Sequence, residues 1–203
     1  MPPSQAAALV REVDAARQHN ASHLDLVGCW VSAGWSDGLT VEGHSDWPDE
    51  EALQYQGRGL AQVLVAREDR NGGKVSACGY LVDVYCLGVK NAVPPRRLSR
   101  PALLAFKQAF FGAYEDPHLE APLELAQHLV YGAVEYARGL GFEPHPDFHA
   151  AANHLGTWTG PSAITFGREG KPFFIQGPHD DAIAITRTLE RTVGNDFEVM
   201  LQI

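Results

Sequence analysis

The clearest structural signal in the chain is a pair of apolar runs separated by a glycine-containing turn. Residues 60–68 and 74–89 are rich in β-branched and other apolar residues, and the DRNGG sequence between them supplies the positive φ angles of a tight reversal. The pattern predicts a β-hairpin. Because both faces of its second strand are apolar, we expect that strand to be central in a sheet and covered on each side.

Apolar residues recur every three or four positions in four other segments, which predicts amphipathic helices. The segments are 4–19, 99–114, 122–140 and 180–193. The second begins at a serine that can serve as its N-cap, and the last two are each followed by a glycine that can end a helix. The VPPRRLS sequence, residues 93–99, is predicted to be a loop before the second helix.

Three shorter strand regions complete the pattern. Residues 25–33 are expected to form one strand in an otherwise irregular region, residues 162–177 a second hairpin with REGK as its turn, and the alternating tail 197–203 a strand that buries one face. The order predicts an α+β fold with a mainly antiparallel sheet, built from two hairpins and a C-terminal strand and packed with three to four helices. We expect one globular domain over residues 1–203.

The composition is that of a packed globular protein, with 45% apolar and 20% charged residues. No apolar run approaches the roughly 18 residues that a membrane span needs, and the N-terminal sequence lacks the features of a signal peptide. The three cysteines form neither a CxxC pair nor an even-numbered disulfide framework. We therefore expect a cytoplasmic protein without a membrane partner, whose cysteines are reduced core residues.

Charge is distributed unevenly along the chain. The net charge is −9, yet residues 70–114 contain seven basic residues and a single acid. The overall acidity disfavours extensive nucleic-acid binding. The basic segment could bind phosphate or an acidic partner, or it could pair with acids of the same molecule.

A carboxylate, Asp83, interrupts the apolar second strand of the first hairpin. An ionised carboxylate in a covered strand costs several kcal/mol unless it is paired or hydrogen-bonded. Either a partner such as Lys90 compensates the charge, or the pKa of Asp83 rises and the group serves proton transfer. Asp83 is thus a candidate catalytic acid, and Cys86 is a candidate nucleophile if a histidine lies beside it, with core packing as its alternative.

Histidine is concentrated in the sequence EPHPDFHAAANH. His145, Asp147 and His149 offer imidazole and carboxylate ligands for a divalent metal ion. Their spacing is not one of the standard metal-binding patterns. A solvated loop in which Asp147 caps a helical turn is the alternative interpretation.

Two further polar patterns lie on or beside the helical segments. Glu124, His128 and Glu135 form a stripe opposite the apolar face of helix 122–140, and we interpret this stripe as solvent-facing. Asp180, in the sequence GPHDD, is expected to be the N-cap of the helix that follows.

No glycine-rich phosphate loop, GxSxG elbow or HExxH motif occurs in the chain. Because catalytic and cofactor motifs are missing, while the charge is polarised and tryptophans lie in predicted loops, we interpret the protein as a non-catalytic binding module without a cofactor, which binds through a basic segment and loop aromatics. The expected partner is a protein or an anionic macromolecule. The predicted binding residues are Lys90, Arg96, Arg97, Arg100, Lys107 and Trp35.

Two alternatives remain open at this point. The first is a hydrolase, possibly metal-dependent, that uses Asp83 with His145, His149 or Cys86. The second is a nucleic-acid or ribosome-associated factor, which the net charge does not favour.

Overall fold

The fold is α+β, with a five-stranded antiparallel sheet whose strands lie in the order β5-β4-β3-β1-β6. The computed structural model describes residues 24–51, 58–69, 73–113 and 117–201. Along these residues the strands are β1 (Leu24–Ser32), β2 (Thr40–Val41), β3 (Leu60–Asp69), β4 (Val75–Asp83), β5 (Gly88–Leu98), β6 (His118–Glu120), β7 (Ile164–Thr165), β8 (Phe173–Ile175) and β9 (Glu198–Met200).

The helices confirm the periodic patterns of the sequence. They are α1 (Arg100–Gly112), α2 (Leu123–Gly139), the short α3 (Phe148–Ala151), which runs into a 3₁₀ turn (Ala152–His154), and α4 (Ala182–Val193). Ser99 is the N-cap of α1, where its hydroxyl accepts a hydrogen bond from the Ala102 amide. The predicted helix at 4–19 lies outside the described residues. No helix of the described part of the chain is long and apolar enough to cross a membrane.

The first predicted hairpin is confirmed, since β3 and β4 pair antiparallel along their whole length. Its second strand is central, as expected, because β5 pairs with the other edge of β4. The predicted extent of that strand is wrong: β4 ends at Asp83, a turn follows over 84–87, and the predicted VPPRRLS loop continues β5. Pro94 and Pro95 are tolerated there because they lie at an irregularity of an edge strand: Val93 is opposite Gly79 and Arg96 is opposite Ala77, and neither proline has a ladder partner.

Helices cover both faces of the sheet. On one face α2 buries its apolar stripe, including Leu125 and Leu129, against residues of β1, β3 and β4. On the other face α1 packs Leu103 and the partly buried Phe106 against β3 and β4. Burying each such side chain contributes about 1.5–3 kcal/mol to the free energy of unfolding, so this packing fixes the position of both helices.

The predicted second hairpin over 162–177 is wrong. Instead, β7 pairs antiparallel with β2, and β8 pairs parallel with β9; Arg168 and Lys171 form an isolated bridge between the two arms. The reason lies in the turn 84–87. Gly167 N–H donates to the Val84 carbonyl and Phe173 N–H donates to the Tyr85 carbonyl, so backbone groups that would pair the two arms are used by this turn.

Two smaller predictions about the C-terminal region are also wrong. The tail strand does not bury an apolar face: Val199 of β9 and the following Leu201 are 38% and 54% exposed. The strand lies outside the main sheet and pairs with β8. The N-cap of α4 is Asp181, whose Oδ1 accepts from the Ala184 amide, because Asp180 is bound elsewhere.

Candidate functional site

Asp83 is buried at the end of β4, with 4% of its surface exposed. Its Oδ1 accepts hydrogen bonds from the amides of Tyr85 and Cys86, at 3.0 and 2.9 Å. Burial raises the pKa of Asp83 to about 6, against the opposing effects of the Lys90 charge and the backbone N–H groups. The carboxylate therefore organises the turn that follows β4, which accounts for a charged residue in an apolar strand.

Lys90 is paired inside the protein. It is the extra residue of a bulge in β5, since Val82 lies opposite Val89 and Leu81 lies opposite Asn91. Its Nζ lies 2.6 Å from Asp180 Oδ2, and both side chains are largely buried. Lys90 therefore holds the segment before α4 against β5, and it offers little to an external partner.

Cys86 lies in a buried apolar cluster with Leu140, Phe174 and Leu189. Burial raises the pKa of its thiol well above the usual range, and the nearby Asp83 charge raises it further. The thiol is therefore protonated at neutral pH. These surroundings fit a core residue and not a nucleophile, which reacts as a thiolate.

The three candidate metal ligands of the EPHPDFHAAANH segment do not gather into a site. His145 Nδ1 accepts a hydrogen bond from the Asp147 amide at 3.2 Å and lies 3.9 Å from the Asp147 carboxylate. His149 is exposed on α3. Within the described ranges, the group with ligand-type atoms close enough for one ion is a different one, formed by His44, Glu124 and His128.

This second group lies where the polar stripe of α2, which supplies Glu124 and His128, contacts the loop that supplies His44. Ligand-type atoms of His44, Glu124 and His128 all lie within 4.8 Å of one another. The His44 ring stacks on Trp47, and the His128 ring is in contact with both Trp47 and Trp158. The sequence analysis interpreted this stripe as facing solvent and did not predict the cluster. Glu124 and His128, four residues apart on one helix, were the signal that could have indicated it.

The hydrogen bonding of His128 does not fit a metal ligand. The Ala163 amide donates to His128 Nδ1 at 2.8 Å, so in the neutral ring Nε2 carries the proton. A histidine that binds a metal ion normally donates from its other nitrogen. Burial and the His44 charge lower the pKa of His128, whereas Glu124 raises it. We therefore treat the cluster as a structural contact between α2 and its flanking loops.

Four predicted binding residues lie on β5 and on α1, two elements that follow each other in the chain. Arg96 and Arg97 are exposed at the end of β5, and Arg100 and Lys107 follow on α1. We call these four residues the basic surface. Ser99, the N-cap of α1, joins the two elements, so the four cations all lie within residues 96–107 of the chain.

Aromatic rings lie beneath two of these cations. The Arg96 guanidinium is 5.7 Å from the centre of the Phe106 ring, and Lys107 Nζ is 4.5 Å from that of Trp30. Arg100 pairs with Glu68 at 2.6 Å. No carboxylate of the described ranges lies within ion-pair distance of Arg96, Arg97 or Lys107.

A cavity of about 280 Å³ adjoins the basic surface. It lies between the C-terminal end of α1 and the sheet, and Phe110 forms one of its walls. The centre of the Phe110 ring lies 6.2 Å from that of Phe106, and the Arg96 guanidinium lies over the Phe106 ring. A Cβ on Gly79 would lie 2.6 Å from the Phe110 ring, so this glycine lets the ring lie on the sheet.

Trp35 is not part of this surface. Its side chain is 2% exposed, its Nε1 donates to the Pro48 carbonyl at 2.8 Å, and its ring packs edge-on against Trp47. Trp35 therefore belongs to the core beneath the 33–50 loop, where it cannot meet a partner.

Comparisons with known proteins add no assignment. No protein-family model matches the chain, and neither a curated protein nor a solved structure matches it. We therefore infer function from the geometry and charge of the residues themselves.

Proposed function

We propose that the protein is a non-catalytic binding module that recognises an acidic segment of another protein through the basic surface. One observation carries this proposal. Three exposed or partly exposed cations, Arg96, Arg97 and Lys107, have no carboxylate partner among the described residues, although the whole chain has a net charge of −9. Cations that have no acidic partner within the molecule are available to the anionic groups of another one.

An acidic polypeptide fits this surface better than a nucleic acid. The surface is small, and the excess of acids elsewhere repels an extended polyanion. The aromatic rings beneath Arg96 and Lys107 also hold the cations in place and offer apolar contact beside the charge. Polypeptides carry carboxylates and apolar side chains side by side, and so match both features.

Recognition through side chains is favoured over the addition of a strand to β5. Pro94 and Pro95 cannot donate backbone hydrogen bonds at this edge. Nearer the start of β5, the Val89 carbonyl already accepts a bond from the His145 amide. The partner segment is therefore expected to lie across the β5–α1 surface.

The hydrolase alternative has weaker support. Asp83 is bound to backbone amides in the turn after β4, and Cys86 is a protonated core thiol. His145 and His149 are placed on the loop and helix beyond α2 and do not form a common ligand group with Asp147.

A charge-reversal experiment tests the proposed function. The probe is a glutamate-rich peptide, and its affinity is measured by calorimetry over a series of salt concentrations. We expect wild-type affinity to fall as salt rises, and Arg96→Glu with Arg97→Glu to weaken binding at least tenfold because two attractive contacts become repulsive. Arg100 is left unchanged because reversing it would also break its pair with Glu68.

The matched control reverses two exposed cations on α4, Arg187 and Arg191. This variant carries the same change in net charge and should bind the peptide with close to wild-type affinity. Equal losses in both double variants, or no binding by the wild type, would refute the proposal. Tighter binding of an oligonucleotide than of the peptide would favour the nucleic-acid alternative instead.

A further inference from the structure

His128 of α2 holds the paired strands β2 and β7 through a hydrogen bond that only its neutral imidazole can accept. The Ala163 amide donates to His128 Nδ1 at 2.8 Å, and the Ala163 carbonyl accepts from the Glu42 amide at 3.0 Å. Ala163 precedes β7 and Glu42 follows β2, so one residue joins the helix to both strands. Protonation places a hydrogen on Nδ1, which then faces the Ala163 N–H as a second donor.

Other contacts between α2 and this region do not titrate. Ser162 Oγ donates to the His128 carbonyl at 3.0 Å and accepts from the Ile164 amide at 3.1 Å. The Ile164 side chain is buried in the main core with residues of α2. A hydroxyl and an aliphatic side chain keep their character between pH 5 and 8. Of these contacts, only the bond to Nδ1 depends on the protonation of a side chain.

A second imidazole lies on the loop that follows β2. The His44 ring stacks on Trp47 with ring centres 4.0 Å apart, and its centre is 5.6 Å from that of His128. Trp47 is buried, and its ring centre lies 5.2 Å from that of His128. Two acids of the loop, Glu42 and Asp46, are exposed, where solvent screens their charge. Two charged imidazoles at this separation would repel each other, which adds to the loss of the hydrogen bond.

The surroundings of His128 offer little compensation for a positive charge. Glu124, one turn earlier on α2, is exposed, and Glu135 accepts a hydrogen bond from the Trp158 indole. Residues 155–163, which supply Trp158 and Ala163 to these surroundings, contain no charged side chain. Burial and the His44 charge therefore outweigh Glu124, and the pKa of His128 lies below its ordinary value of 6.5.

We propose that His128 is a pH-sensitive latch, whose neutral ring holds β2, β7 and the loop with Trp47 on α2 and whose protonated ring releases them. The latch belongs to α2, whereas the basic surface belongs to β5 and to α1 on the opposite face of the sheet. This inference is therefore independent of the proposed function.

The direction of the pH effect follows from proton binding. In the released state the imidazole is solvated and has an ordinary pKa, so this state binds more protons than the closed state. The closed state is thus fully favoured above pH 6.5 and loses stability as the pH falls below that value. Acid is expected to open this contact while the main sheet stays folded.

Amide hydrogen exchange followed by NMR tests the latch. Protection of the Glu42 and Ala163 amides, each relative to its intrinsic exchange rate, is compared at pH 7.5 and pH 5.0 with EDTA present. We expect both protection factors of the wild type to fall about tenfold in acid, because opening is coupled to proton uptake. Amides of the β3–β4 hairpin should keep their protection. An equal fall there would mean that acid unfolds the whole protein, and the proposal would be overturned.

Two substitutions separate the acceptor from the charge. An asparagine side chain carries its oxygen at the same distance from Cβ as Nδ1 and does not titrate, so in His128→Asn both protection factors should change by less than about twofold. His149→Asn removes an exposed imidazole from α3 and is the matched control, which should respond to acid like the wild type. Thermal midpoints confirm that both variants fold. A wild-type response in His128→Asn would overturn the proposal.

Titration of the His128 ring by NMR provides a check that needs no variant. We expect the proton to lie on Nε2 at pH 7.5 and the ring to titrate below 6.5. A proton on Nδ1 at pH 7.5, or titration at or above 6.5, would refute the latch. None of these measurements involves the basic surface, so their failure leaves the proposed function untouched.

Discussion

At the scale of single residues, Asp83 shows how a charge is accommodated in an apolar strand. Its carboxylate replaces the strand partner that the backbone loses where β4 ends, by accepting from two amides of the turn. Burial opposes ionisation, and the pKa near 6 reflects a group whose charge is only partly compensated. The hydrogen bonds, more than the charge, are what the fold requires.

Substitutions at Asp83 separate these two contributions. An asparagine retains an oxygen acceptor for the two amides, so Asp83→Asn should leave the free energy of unfolding at pH 7.5 within about 1 kcal/mol of wild type. Asp83→Ala leaves both amides without an acceptor and should lower it by about 2–3 kcal/mol. Urea denaturation measures both. Equal destabilisation by the two variants would contradict an anchoring role for the hydrogen bonds.

The comparison of Asp83→Asn with the wild type also predicts how the free energy of unfolding depends on pH. The folded pKa of Asp83, about 6, lies above the ordinary value of 3.8, so the folded state binds more protons between these limits. The stability contributed by this group is present below pH 3.8 and is lost as the pH rises through 6. Asp83→Asn should therefore gain stability relative to wild type between pH 4 and 7. A constant difference across that range would refute the assignment.

His154 should act in the opposite direction. It is 4% exposed, its Nε2 lies 2.9 Å from Ser76 Oγ, and burial, helped by the Arg67 charge, lowers its pKa to about 4. The unfolded chain, with a histidine pKa near 6.5, binds more protons between these values, so stability falls as the pH drops from 6.5 towards 4. His154→Gln, measured by urea denaturation, should flatten this decline; an unchanged slope would exclude His154 as its source.

At the scale of elements, the contact between α1 and the sheet depends on one missing side chain. The Phe110 ring occupies the space above Gly79, and an added Cβ would lie 2.6 Å from it. Gly79→Ala should therefore lower the free energy of unfolding by about 1–3 kcal/mol, because the ring and the end of α1 must shift. Chemical denaturation provides the measurement.

Gly112, the last residue of α1, is a suitable control. A Cβ there meets no atom of the described residues within 4 Å. Gly112→Ala should leave stability unchanged or raise it by about 0.5 kcal/mol, because alanine favours the helix. A loss similar to that of Gly79→Ala would mean that the packing of Phe110 is not the cause.

The elements that were predicted correctly are those with strong local patterns. The β3–β4 hairpin and the helices α1, α2 and α4 each have a period and terminal signals in their own sequence. The errors arose where tertiary contacts decide. Pro94 and Pro95 resemble a loop unless the strand is known to be at an edge, and the arms of 162–177 pair elsewhere because their backbone is bound to the turn 84–87.

At the scale of the whole molecule, charge and topology act together to form the proposed site. The sequence identified the cations Arg96, Arg97, Arg100 and Lys107, because their density along the chain is visible. It could not show that Lys90 is paired with Asp180 or that Trp35 is buried, since both depend on distant contacts. The cavity was equally invisible, because β3, β4, β5 and α1 all contribute to it.

The turn 84–87 has a consequence for how the molecule comes apart. Asp83, at the end of β4, accepts hydrogen bonds from the amides of the turn, and the amides of Gly167 and Phe173 donate to its carbonyls. The neighbouring Lys90 pairs with Asp180, just before α4. The turn thus links the end of the large sheet to residues 167–173 and, through the neighbouring Lys90, to the segment before α4. Opening of this turn should therefore loosen residues 167–181 before it affects the β3–β4 hairpin, which keeps its own ladder of bonds.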